Sequence, residues 1–382
     1  MEKDFPTRCI HLDDENRDNL YGSMSFPIFQ TATFAHFGVG RSSGYDYTRT
    51  QNPTKEHLEK IVAALENGIG AVAFASGMAA IDTALEILKN GNHLIADIDL
   101  YGGSYRIIDT VSKKNGIDAT ITDLSKADVK QLITPKTKAI YIETPTNPMM
   151  HVLDIEKLAQ IAHEAGAYLF VDNTFLTPYF QNPLELGADV VLHSGTKFLG
   201  GHNDTLCGFA ITRDEELLSK IRILQNTKGN GIAPFDSWLI ARGIETLPLR
   251  MEKAQENAIQ IANWLSKRGD VTKVLYPKFA SGDDKVIIEK QTKGYGSMIT
   301  FEVENKELAY RILEKVKVIH FAESLGGTES LITYPITQTH KEMPKEILDN
   351  NGITDRVLRL SVGIESAKDL IEDLEKAFNG EN

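Results

Sequence analysis

The sequence predicts an α/β chain, with a large domain on a mainly parallel sheet and a smaller C-terminal α+β domain. Three observations carry this reading. Between about residues 55 and 230, short apolar runs alternate with helical patterns, the signature of βαβ units. After a polar, glycine-rich loop at 226–231 the pattern changes to a long helical stretch and isolated short strands. A length of 382 residues accommodates more than one domain and a large core. The expected division is an N-terminal arm over 1–55, an α/β domain over 56–240 and the α+β domain over 241–382.

In chain order, residues 1–60 are expected to be irregular. They hold turn residues such as Tyr21-Gly22-Ser23-Met24-Ser25-Phe26-Pro27 and no sustained helical period. A long aperiodic segment is unusual in a compact domain, so it reads as an arm that packs on something else, a second subunit among the possibilities. Strands are then expected over 71–75, 93–96, 139–142, 168–171, 189–193 and 208–211, with helices between them over 78–88 and 155–164. A long helical pattern follows over 237–267, bent near Pro248, where the missing N–H interrupts the ladder. Strands over 273–275, 297–302 and 357–362 and a last helix over 367–378 complete the smaller domain.

Composition narrows the function. A net charge of −12 disfavours nucleic acid and anionic membranes as partners, because both need clustered Lys and Arg. Cys9 and Cys207 give no disulfide framework and no ligand spacing, and ten histidines form no HExxH or similar cluster, so no metal is expected. The N-terminus has no apolar signal region and no run approaches the ~20 apolar residues of a membrane span. A cytoplasmic location is the default expectation. Gly38-Val39-Gly40 follows no strand and lacks the last glycine of a dinucleotide fingerprint.

Ligands of parallel sheets sit outside the carboxyl ends of the strands, so the residues just after each apolar run matter most. After the first comes Ser76-Gly77-Met78, where small residues at a strand-to-helix turn suit either a phosphate or tight packing. Tyr101-Gly102-Gly103 offers a ring to lie over an aromatic ligand, or to cover the core edge. Asn147, between two prolines, either faces the crevice or makes an Asx turn. Asp172 ends an apolar run and needs a charged or hydrogen-bonded partner if buried, or else caps a helix. Val190-Val191-Leu192-His193-Ser194-Gly195-Thr196-Lys197 ends a strand in hydroxyl residues and a lysine. Each signal is weak alone. Together they match pyridoxal phosphate (PLP), which requires a Schiff-base lysine, an acid for the pyridine nitrogen, a stacking aromatic and a phosphate cradle.

These residues resemble the Cys/Met-metabolism, or transsulfuration, PLP enzymes, of the aspartate-aminotransferase-like fold. The likeness spans about residues 20–380 and rests on 47–54, Ser76-Gly77-Met78-Ala79-Ala80, Tyr101-Gly102-Gly103, Glu143-Thr144-Pro145-Thr146-Asn147-Pro148, Asp172-Asn173-Thr174, Ser194-Gly195-Thr196-Lys197, Ser324-Leu325-Gly326-Gly327 and 359–365. The resemblance implies that Lys197 forms the Schiff base and shuttles protons, Asp172 pairs with the pyridinium and Tyr101 stacks on the ring. It implies that Ser76, Gly77, Met78, Thr174, Ser194 and Thr196 hold the cofactor, mostly at its phosphate. It has Tyr47 and Arg49 reach that phosphate from a neighbouring subunit, Arg359 bind the substrate α-carboxylate, Asn147 lie near the cofactor ring and the substrate, and Ser324 lie near the substrate. Tyr101 or Tyr47 is expected to assist as acid or base, its phenol pKa depressed by Lys197 and Arg49. The implied assembly is a homotetramer of two active dimers, acting on small amino-acid substrates.

Within the family, Gly201-His202-Asn203-Asp204, Phe235-Asp236-Ser237-Trp238 and Phe321-Ala322-Glu323-Ser324 look like bacterial cystathionine γ-synthase/O-acetylhomoserine thiolyase enzymes. Many cystathionine lyases carry a glutamate before the proline where Tyr334 stands here. The expected reaction is γ-replacement on an O-acylhomoserine, with cystathionine or methionine γ-elimination as the alternative. Tyr334, Glu329 and the 228–235 loop are expected to set substrate choice.

Overall fold

The computed structural model describes residues 3–11 and 21–381. Among these residues, β1 (Gly70–Phe74), β2 (His93–Asp97), β3 (Asp118–Thr122), β4 (Thr137–Glu143), β5 (Tyr168–Asp172), β6 (Val190–Ser194) and β7 (Gly208–Thr212) form one sheet, ordered β1-β7-β6-β5-β4-β2-β3. Only β7 runs against its neighbours; the other pairs are parallel. Both faces are covered, which explains the continuous apolar runs. Val191 packs with Leu58 and Val62 of helix Pro53–Leu65 and with Leu158 and Ala162 of helix Ile155–Glu164. Its neighbours Val190 and Leu192 point the other way, into a cluster with Ala80, Ile81 and Ala84 of helix Gly77–Leu85. The period of two along a strand thus builds two cores.

A second sheet contains β8 (Val271–Leu275), β9 (Met298–Val303), β10 (His320–Phe321), β11 (Leu331–Thr333) and β12 (Val357–Ser361), in the order β10-β11-β12-β9-β8. Its pairs are antiparallel except β10 with β11. Helices Leu247–Leu265, Lys306–Lys315 and Ala367–Asn379 seal it with Ile261, Ile312 and Leu374. No helix among the described residues is long and apolar enough to cross a membrane.

The differences from expectation have local causes. β3 was not anticipated because it is a half-exposed edge of mixed residues, and β10 and β11 are too short to show a period. The bend near Pro248 is a full break between helices Pro234–Ile244 and Leu247–Leu265, and Pro248 sits in the first turn of the second, where no N–H is required. Residues 1–60 are not irregular throughout. Helix Phe5–Ile10 buries Cys9, and Arg8 Nη1 donates to Ala64 O at 2.7 Å and Asn67 Oδ1 at 2.9 Å. Helix Pro53–Leu65 begins at the Asn52 cap, whose side chain accepts from Thr54 N. Between them, residues 21–52 leave Tyr21, Met24, Phe37 and Val39 exposed; residues 12–20 of the expected arm lie outside the described residues.

Candidate active site

The ends of β1, β4, β5 and β6 and the loops before β11 and around β12 enclose a cavity of about 230 Å³. It gathers Ser76, Gly77, Met78, Tyr101, Asn147, Asp172, Thr174, Ser194, Thr196, Lys197, Ser324 and Arg359. Residues up to 283 positions apart in sequence (Ser76 to Arg359) thus line one space.

One wall is a cradle for an anion. Ser76 caps helix Gly77–Leu85, its Oγ accepting from Ala79 N at 3.1 Å, so the N–H groups of the first turn are presented at the cavity. Gly77 has no room for a side chain: a Cβ there would meet Ser194 Cβ at 2.8 Å. That absence lets the helix end and the end of β6 face each other. Thr174 Oγ1 accepts from Ser194 N at 2.9 Å, and Thr196 Oγ1 accepts from Cys207 N at 2.9 Å, which fixes the hydroxyl groups of this wall.

Asp172 ends β5 and lines the cavity. Burial pushes its carboxyl up, while hydrogen bonds from Thr174 and the positive field of His193 hold it down. Lys197 follows β6, and its Nζ donates to Ser324 Oγ at 2.8 Å. Burial and then the Arg359 guanidinium bring its ammonium down from 10.5 to about 8, against the pull of Glu323. A lysine near 8 exchanges its proton readily, as a Schiff-base lysine must.

Tyr101 begins helix Gly102–Arg106. A Cβ on Gly103 would lie 2.5 Å from Tyr101 Cε1 and 2.7 Å from Met78 Sδ, so Gly103 clears the space the ring and Met78 occupy. The expected depression of the Tyr101 phenol is corrected here. Burial comes first and raises it, Glu323 adds to the rise, and Arg106 and Arg359 do not reverse it. Lys197 is not among the main charges that act on it, and Arg49 is elsewhere.

Arg359, on β12, is 2% exposed. Its Nη1 donates to Asn147 Oδ1 at 2.8 Å, and its Nη2 to Ser324 O at 3.2 Å and Thr333 Oγ1 at 3.3 Å. No carboxylate among the described residues pairs with it. Burial works against its charge, but a guanidinium stays ionised at physiological pH. Ser324 holds φ +116°, a costly conformation for a residue with a side chain, of the kind kept at functional sites.

The structure does not bring Tyr47 and Arg49 to this cavity in the same chain. Arg49 Nη1 donates to Asn226 O at 2.9 Å and Oδ1 at 2.7 Å, and its guanidinium lies 5.6 Å from the exposed Tyr47 ring. Tyr334 and Glu329 also do not line it. Tyr334 is 3% exposed, packs edge-on to Tyr310 and donates to Asp355 O, so its side chain belongs to the small-domain core. Glu329 is an exposed acceptor for Asn203 Nδ2.

Three residues without an expected role take part. Glu143 ends β4 in register with Asp172 and accepts from Tyr101 N and from Ser104 Oγ at 2.9 Å. Burial, then the adjacent Asp172, push its carboxyl well up. Its signal was present, an acid ending an apolar run just as Asp172 does. Glu323 stands exposed at the rim and acts on Lys197, Tyr101 and Arg359. His340, which burial holds neutral near a pKa of about 4, donates from Nε2 to Leu100 O and Asn147 O and so ties two wall loops together. Nothing in its sequence context pointed to this.

The donor set fits pyridoxal phosphate. An acid without a salt-bridge partner among the described residues ends one strand, a low-pKa amine follows the next, and N–H and hydroxyl groups form a cradle at the helix end between them. The comparisons agree. Residues 6–379 match the family model for Cys/Met metabolism PLP-dependent enzymes. A cystathionine gamma-synthase/O-acetylhomoserine (thiol)-lyase of Bacillus subtilis is 47% identical over 99% of this chain and 97% of its own length. A cystathionine beta-lyase of Lactococcus lactis is 44% identical over 97% and 98%. The crystal structure of cystathionine gamma-lyase from Lactobacillus plantarum complexed with L-serine matches with a TM-score of 0.95 and 43% identity, covering 99% of each chain. From its strand ends to its overall architecture, the chain belongs to the Cys/Met-metabolism family of PLP-dependent transsulfuration enzymes.

Proposed function

We propose that the enzyme carries out γ-replacement on an O-acylhomoserine, with cysteine giving cystathionine or sulfide giving homocysteine. One observation carries the α-amino-acid part of this assignment. Lys197 Nζ and Arg359 Nη2 converge on Ser324, at Oγ (2.8 Å) and O (3.2 Å). An α-amino acid whose amine replaces Lys197 therefore has Arg359 in reach of its carboxylate. The planar fork suits bidentate pairing.

When bound, PLP supplies a carbonyl carbon for the substrate amine and a cationic ring that accepts the electrons of a broken Cα–H bond. The chain's residues do the rest. Asp172 would hold the proton on the ring nitrogen, and Tyr101 would cover the ring. The free Lys197 amine, a base near neutrality, would move one proton at a time: it would take the Cα proton, give it up, and then take the Cβ proton. The γ-acyloxy group would leave Cγ as a carboxylate, and the thiol or sulfide would form the new C–S bond there while protons return to Cβ and Cα. Tyr101, held neutral by burial, acts as a proton donor rather than as a phenolate base. Glu323, exposed at the rim, suits an ammonium group on the substrate.

We further propose that a second copy delivers Tyr47 and Arg49 to the cradle, within a homotetramer of active dimers. The 21–52 segment, which leaves Met24, Phe37, Val39 and Tyr47 exposed, supports this. Likeness to cystathionine γ-synthase/thiolyase at the rim loop favours replacement. Elimination from cystathionine is the second reading, favoured by the equally extensive likeness to proteins named as lyases. A substrate panel separates them: O-acetyl- and O-succinylhomoserine with cysteine or sulfide, against cystathionine or methionine alone. Keto acid from cystathionine as the dominant product would reverse the choice.

A further inference from the structure

A second cavity, of about 320 Å³, lies between the end of β2 and the small sheet. Small-molecule sites are common where two domains meet. Asp99, two residues past β2, lines this cavity and is 2% exposed. Its Oδ2 accepts from Met149 N at 3.2 Å, but its Oδ1 has no hydrogen-bond partner among the described residues. A buried oxygen left in that state is costly and rare. Burial pushes the Asp99 carboxyl up to about 7; the nearby Thr146 hydroxyl draws it back and Asp97 adds to the rise. The other acids of the cavity are already served or solvated. Asp97 accepts from Asp99 N and Leu124 N, Asp123 pairs with Lys126, Glu302 pairs with Arg356, and Asp349 is exposed.

The open groups of the opposite kind are the His151 ring and the exposed Lys273 ammonium. Neither makes a hydrogen bond or ion pair among the described residues. Burial lowers the pKa of His151, and a neutral ring still donates one N–H. Met149 and Val357, with Leu275 packed against them, add an apolar wall. A metal does not suit this set: no group of three His, Cys, Asp or Glu among the described residues could hold one. A ligand that does suit it carries a cationic donor for Asp99 Oδ1, an anion for Lys273 and His151, and an apolar body. The cavity also backs onto the active site. Met149 N, held by Asp99, is two residues past Asn147, and Thr300, which lines the cavity, donates to Pro148 O at 2.5 Å. Thr300 is the register partner of Arg359. An occupant therefore braces the loop that presents Asn147 Oδ1 to Arg359.

We propose that this cavity is a second binding site, for a free amino acid with an apolar side chain: Asp99 takes the ammonium, Lys273 and His151 take the carboxylate, and Met149, Leu275 and Val357 take the side chain. The inference does not depend on which reaction the enzyme catalyses.

The test is calorimetric titration of the cofactor-loaded enzyme with N-methyl-L-leucine, a zwitterion whose secondary amine forms no stable Schiff base. Cofactor absorbance is read alongside. Saturable binding is expected, with the absorbance unchanged. Asp99→Asn should weaken it about tenfold or more, the effect of losing one charge-assisted hydrogen bond. Lys273→Glu should weaken it roughly fivefold, as reversal of an exposed charge does, and should leave turnover without the probe unchanged. N-methylisoamylamine, the same molecule without its carboxylate, should bind more weakly than the amino acid. If either variant binds the probe like the wild type, the corresponding end of the ligand is misassigned and the proposal fails. An amine that binds as tightly as the amino acid makes the cavity a cation site and overturns it too, as does no binding at roughly 10 mM. Should Asp99→Asn not fold, Lys273→Glu and the amine comparison still decide.

Discussion

Arg359 allows the most direct test of the substrate reading. Its guanidinium is buried, bound only to neutral acceptors and free of any carboxylate partner among the described residues. We predict that Arg359→Met removes two charge-assisted hydrogen bonds to the substrate carboxylate. At about 1.5–3 kcal/mol each, that amounts to roughly 3–6 kcal/mol. At about 1.4 kcal/mol per factor of ten, kcat/KM should fall by about 10²–10⁴. Arg359→Lys keeps the charge but not the fork, and should recover about half of that free energy. The stability of the cofactor-free protein should move the other way or not at all, because the substitution removes an uncompensated buried charge. The assay is initial-rate loss of free thiol with an O-acylhomoserine and cysteine, run beside thermal unfolding of the cofactor-free variants. A kcat/KM within threefold of wild type would refute carboxylate anchoring. A loss of Tm in Arg359→Met large enough to explain the rate would make the guanidinium a structural group.

Other expectations follow from the same geometry. Because burial lowers Lys197 to about 8, the folded chain gives up that proton before the unfolded chain does near 10.5, so stability of the cofactor-free protein should rise with pH between those values. Its rate of reaction with pyridoxal phosphate should rise through pH 8 as well, and a flat profile in stopped-flow absorbance contradicts the low pKa. Gly77→Ala puts a Cβ 2.8 Å from Ser194 Cβ; overpacking of this kind costs about 1–3 kcal/mol, and cofactor affinity measured by dialysis should drop at least tenfold. Finally, coexpression of Lys197→Ala with Arg49→Ala chains, each inactive alone, should restore activity if Arg49 serves the neighbouring subunit. No recovery in purified mixed oligomers would place its role within one chain.

Much of the site was legible because strand ends are legible. Asp172 and Lys197 each terminate an apolar run, and a polar residue there has few places to go but the crevice. Glu143 carried the same signal and went without a role because its chemistry duplicates that of Asp172. What could not be read depends on the third dimension. Tyr334 follows a strand and precedes a proline, a suggestive position, yet its ring turns into the small-domain core toward Tyr310. The phenol of Tyr101 looked set for depression because cations lie nearby in sequence motifs, but burial outweighs charge at its position. Helix Phe5–Ile10 is too short to show a period, and only its packing on the following helix makes it stable.

Ser324 joins two separately built halves. Lys197 arrives from the large sheet and Arg359 from the small one, and both lean on this one strained residue. The gap between amine and guanidinium is therefore set like the jaws of a caliper, with the 324–327 loop as its spacer. Gly326 seats that spacer: a Cβ there would lie 2.6 Å from Phe198 N. On the proposed roles, the placement of a substrate's α-amine and α-carboxylate is thus decided by how the two sheets close on each other, and not by the floor of the cavity.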